Sequence, residues 1–111
     1  MGILVQELTA AGIPLAVASG ALRHEVEMFV GGLGLERAFP VIVAADEVAH
    51  SKPDPETYLK ALAKVREHFR ISDLTPRTCV AIEDTPAGIQ SAKRAGLIAV
   101  GVAHSHPPER L

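Results

Sequence analysis

Tryptophan is absent from this 111-residue chain, aromatic residues make up 4% of it, and cysteine occurs once. So few rings leave the core to Ala, Val, Leu and Ile within an apolar fraction of 48%. A single Cys79 excludes an internal disulfide and removes any argument for an oxidising compartment, so a cytoplasmic location is expected. There is no Lys/Arg block, and the formal net charge is -2, which excludes the electrostatic footprint of a DNA- or RNA-binding protein. No apolar run is long enough to span a bilayer, and no basic region followed by an apolar stretch opens the chain, so a soluble chain with no membrane partner is expected. Repeats, low-complexity tracts and linkers are missing too. The length suits one compact domain, 1–111.

What the chain does have is an alternation. Short aliphatic runs at 14–18, 41–44, 79–82 and 98–102 are separated by longer segments of helical period, the pattern of repeated βα units around a buried parallel sheet. The fold class is therefore α/β, a Rossmann-like arrangement of three layers with helices on both faces. A first helix over 3–11 ends at Gly12. A second over 22–33 puts Val26, Phe29, Val30 and Leu33 on one stripe and stops at Gly34. Asp54 and Pro55 start a third, with Tyr58, Leu59, Leu62, Val65 and Phe69 at helical intervals. Thr85 and Pro86 start a fourth, which Gly96 ends. Cys79 reads as a buried strand thiol. In the stiff junction 51–55, Lys52-Pro53 and Asp54-Pro55 are bonds where a cis peptide carries a reduced penalty. The segment after Val102, with His104 and His106, reads as a tail.

Ligands of an open parallel sheet gather beyond the carboxyl ends of its strands. Three groups fall there. Ser19 and Gly20 follow the first strand, where a hydroxyl and adjacent N–H groups hold a phosphate oxygen or cap the next helix. Glu83 and Asp84 follow the third, where paired carboxylates suit Mg2+, or else Asp84 or Thr85 caps a helix. Lys52 heads the stiff loop, either as an ammonium set against phosphate and carboxylates or as a surface lysine. Asp46 reads as a loop cap, Asp54 as a helix cap. His24, His50, His68, His104 and His106 lack the spacing of a zinc site, and no Gly-X-Gly-X-X-Gly follows a strand.

The stretches 11–20, 51–58 and 80–89, in that order and each after the expected strand, closely resemble the haloacid dehalogenase superfamily, in particular its phosphoglycolate phosphatase and β-phosphoglucomutase branch. The resemblance covers nearly the whole chain. It implies a phosphatase or phosphohydrolase of small phosphorylated metabolites, with Mg2+ as cofactor. Ser19 and Gly20 would bind the phosphoryl group, Lys52 would stabilise its charge and orient the nucleophile, and Glu83 with Asp84 would hold the metal.

The family's Asp-X-Asp nucleophile motif has no counterpart here. It lies on a central strand between those leading to Ser19 and Glu83, and a cap domain that shapes substrate choice follows it; the chain resembles the rear portion only. Without that strand its neighbours would stand two spacings apart, roughly 10 Å. Either they pair directly, another chain or a second copy lends a strand, or this is part of a larger protein. Phosphate monoesters hydrolyse very slowly unaided, so the isolated chain is expected to be inactive. The alternative is a non-catalytic module that binds metal, phosphate or a partner chain on the same scaffold.

Overall fold

A computed structural model describes residues 2–102. Its four strands and four helices alternate where the hydrophobic pattern places them. Helix α1 (Gly2–Ala10) precedes β1 (Ala16–Ala18), and α2 (Arg23–Gly32) leads to β2 (Val41–Val43). Helix α3 (Glu56–Phe69), β3 (Val80–Glu83), α4 (Pro86–Arg94) and β4 (Ile98–Gly101) complete the order. Gly12 and Gly96 end their helices at φ 77° and 91°, a region that costs glycine little. Arg70 does the same for α3 at φ 56° without a glycine to announce it. The reading of His104 and His106 as tail residues falls outside the described residues. No helix among them is long and apolar enough to cross a membrane.

The sheet is in two halves. β1 pairs in parallel with β2, and β3 in parallel with β4, but no ladder joins β1 to β3. Direct pairing of the flanking strands, one of the ways of closing the gap, is therefore not what the chain does. Ser19 N–H donates to the Val43 carbonyl, so the main-chain groups of Ala18 turn away from β2 towards the gap. On the other bank the Cys79 and Glu83 carbonyls accept from Ile98 and Val102, which turns Val80 and Ile82 away from β4. Two strand edges thus face each other unpaired.

Packing differs between the halves. On one face of β1 and β2, Val26 and Val30 of α2 meet Val17 and Ile42. On the other lies α3, which also touches α4. Tyr58 of α3 clusters there with Ala81, Ala92 and Ala95, and with Ala18 alongside. The β3–β4 half is covered on one face only. Ala81 and Glu83 point towards α4, whereas Val80, Ile82, Ile98 and Val100 are exposed on the opposite face. Helices on both faces, as expected from the apolar runs, hold for the first half and not for the second among the described residues. The α2 stripe is also narrower than its spacing predicts: Phe29 and Leu33 are exposed, and the buried apolar contact of α2 with the strands is made by Val26 and Val30. Cys79 is not a buried strand thiol. It follows a short 3-10 turn (Pro76–Thr78), is half-buried, and its Sγ lies 3.4 Å from the Thr75 carbonyl.

The outer edge of β2 is treated differently from the edges at the gap. Arg23 Nη1 donates to the Ile42 carbonyl at 3.2 Å and to Glu47 Oε1 at 2.7 Å, while Lys64 reaches Glu47 Oε2 at 3.0 Å. Charged side chains on an edge block further pairing.

Candidate active site

The loop that carries Lys52 is tied down at both ends before it reaches the strands. Glu56, in the first turn of α3, accepts the N–H groups of Ala49 at 2.8 Å and His50 at 3.1 Å. These bonds hold the Glu56 carboxyl below its ordinary pKa, with the Ala49 N–H as the largest influence. Asp54 Oδ1 accepts the N–H of Glu56, the first residue of α3, at 2.9 Å from one position before the N-cap, which is Pro55 rather than Asp54, and its carbonyl receives the Ser91 hydroxyl at 2.6 Å. The Lys52-Pro53 peptide is cis. Asp46 is a cap, accepting the Arg23 N–H at the start of α2 at 3.1 Å.

From this loop Lys52 spans the gap between the half-sheets. Its Nζ donates to the Ala18 carbonyl at the end of β1, 2.9 Å away, and to Glu83 Oε2 at the end of β3, 2.5 Å away. The side chain is largely buried, so the ion pair with Glu83 is not a screened surface pair. The three sequence motifs converge on this one nitrogen. Ser19 is the residue after Ala18, and Asp84 the residue after Glu83.

Ser19 and the carboxylates play distinguishable parts. Ser19 Oγ accepts the Ala21 N–H at 3.0 Å, a local turn rather than a cap of α2, whose N-cap position is Leu22, and its hydroxyl can still donate to an anion. Gly20 beside it is exposed, with nothing near the place a side chain would take. Thr85 caps α4 by accepting the Gly88 N–H at 3.0 Å, and Pro86 follows at the first helical position. Asp84 is therefore not spent on the cap and stands exposed at the mouth of the crevice. Glu83 is 8% exposed, and its Oε2 is shared by Lys52 and the Tyr58 hydroxyl.

Two neighbours of Glu83 escaped the sequence reading. Tyr58 sits on the apolar stripe of α3, as its spacing predicts, but its hydroxyl turns to Glu83. Gly88 is buried in the first turn of α4, and a Cβ there would overlap the Glu83 carboxylate. A hydroxyl in an otherwise apolar stripe and a glycine inside a helix were the available signals. Among the described residues no three His, Cys, Asp or Glu side chains form a metal-holding group. The donor set suits Mg2+ only in part: Asp84 offers a hard oxygen, while Glu83 has its Oε2 already engaged by Lys52 and Tyr58.

Comparison with known proteins places this geometry in context. The family model described as haloacid dehalogenase-like hydrolase matches residues 2–102. Validoxylamine A 7'-phosphate phosphatase of Streptomyces hygroscopicus subsp. limoneus is 34% identical over 108 residues, which are 97% of this chain and 47% of that protein. Beta-phosphoglucomutase of Bacillus subtilis is 34% identical, over 96% of this chain and 43% of its own length. Among solved structures, a variant of CbbY from Rhodobacter sphaeroides in complex with xylulose-(1,5)bisphosphate superimposes with a TM-score of 0.76 at 38% identity, covering 88% of this chain and 42% of that one. The chain spans less than half the length of these relatives.

Proposed function

Because the chain belongs to the haloacid dehalogenase-like hydrolase family, we propose that it supplies the phosphate- and metal-binding rear half of a Mg2+-dependent phosphatase acting on small phosphorylated metabolites. The observation that carries this reading is the position of Lys52 Nζ, bonded at once to the residue before Ser19 and to the residue before Asp84. Ser19 and the N–H groups around Gly20 would hold phosphoryl oxygens, and Lys52 would offset their charge in a partly dry crevice. Mg2+ would be held by Asp84, with Glu83 set behind it, and would supply a further positive charge against the phosphoryl group.

What these residues do not offer is an attacking group. Asp46 and Asp54 are committed to helix starts, and Glu83 to Lys52 and Tyr58. The 111 residues alone are therefore expected to hydrolyse phosphomonoesters negligibly. The unpaired edges of β1 and β3 give a strand bearing Asp-X-Asp, from this protein or another chain, a place to pair. A cytoplasmic setting belongs to the same reading and rests on the single cysteine.

The test is complementation. The pure chain is assayed with p-nitrophenyl phosphate and Mg2+, alone and with a separately made strand segment that ends in Asp-X-Asp. Turnover is expected only with the segment, and Lys52→Ala should lower it by at least about 100-fold, the usual effect of removing a charge-stabilising donor. Strong hydrolysis by the chain alone would overturn the division of labour. Binding of metal or of the segment without restorable turnover would favour the non-catalytic module instead.

A further inference from the structure

Tyr58 sits in a cluster that has no need of a hydroxyl. It is 7% exposed and packs on Ala81, Ala92 and Ala95, a volume that phenylalanine would fill equally well. Yet its hydroxyl donates to Glu83 Oε2, the oxygen that also receives Lys52, and the Lys52 ammonium lies 5.1 Å from the ring centroid. Gly88 closes the other side of the carboxylate, since any side chain there would overlap it. Glu83 is thus gripped by the phenol, the ammonium and a bare stretch of helix.

We propose that Tyr58 is a positioning residue: with Gly88 it fixes the Glu83 carboxylate, and Glu83 so fixed draws the Lys52 ammonium against the Ala18 carbonyl beside Ser19. The inference deepens the proposed phosphatase reading and rests on it for its purpose, though not for its geometry. It divides the adjacent carboxylates by role, Glu83 serving the lysine and Asp84 being left to a metal. A tyrosine merely filling the core would give up its hydroxyl without effect on a side chain six positions away in sequence.

The test follows Lys52 directly. Tyr58→Phe keeps the ring and removes the hydroxyl, and a competitive amine-labelling experiment read by mass spectrometry compares Lys52 with the exposed Lys93. In the unaltered 111-residue chain Lys52 should label more slowly than Lys93. Tyr58→Phe should raise the Lys52 rate several-fold relative to Lys93, and Gly88→Ala, which displaces Glu83 from the opposite side, should do the same. Urea unfolding of both variants checks that the chain is still folded. In the complemented assay Tyr58→Phe should lower kcat by about tenfold with little change in KM, the pattern of a group that acts at the transition state. Unchanged Lys52 labelling in folded Tyr58→Phe would overturn the proposal whatever the turnover. Faster labelling in a system where even the unaltered chain cannot be complemented would uphold the positioning role and overturn the phosphatase reading.

Discussion

Glu47 shows how one side chain can hold several elements. Burial alone would raise its pKa, but donors from Lys64, Arg23 and the Ala44 N–H outweigh that and lower it from 4.5 to about 2. A carboxyl with a depressed folded-state pKa stabilises fully above its unfolded value and loses that contribution as pH falls from about 4.5 towards 2. Urea unfolding at pH 6 and pH 3 should therefore show a smaller acid-induced loss in Glu47→Gln than in the unaltered chain, by about 1 kcal/mol once solvent screening is allowed for. Equal losses would remove Glu47 from the account. Its charged partners lie 17 and 24 positions away, which is why nothing local announced them. That Ser19, Lys52 and Asp84 gather at one end of the sheet was legible because ligands of such a sheet collect beyond its strand ends, whereas the roles proposed for them rest on the order of the three motifs together. Tyr58 and Gly88 were not legible, since their role appears only when α3 and α4 meet beside β3.

At the scale of elements, α3 was the most legible, because an apolar period of 3.6 over fourteen residues is hard to mistake. The spacing puts both of its leucines among the apolar residues, and the structure separates them. Leu62 is 6% exposed and Leu59 47%. Leu62→Ala should cost about 2–4 kcal/mol in urea unfolding, and Leu59→Ala less than about 1 kcal/mol. Comparable losses would mean that α3 presents a different face to the strands. The strands themselves were located within two residues at each end, but the solvation of β3 and β4 was misjudged. An apolar run shows that a strand is fit to be covered on both faces; it cannot show that both covers are present.

The whole molecule carries the largest mismatch between what its surface is and what water tolerates. Two bare strand edges face the gap, and the apolar face made by Val80, Ile82, Ile98 and Val100 lies open beside them. The isolated chain should therefore associate with itself as concentration rises, and the complementing strand segment should reverse this; sedimentation velocity across a dilution series reads both. A monomer at every concentration would show that the gap is closed in solution by some other arrangement. The tie across that gap has one more consequence. An ammonium nitrogen is tetrahedral: its carbon stem takes one direction, and the bonds to Ala18 and Glu83 take two more. A single N–H direction is left, set by both half-sheets together. Lys52 thus works as a pointer rather than a diffuse charge, admitting an incoming oxygen along one line of approach, and that line turns whenever either half-sheet moves.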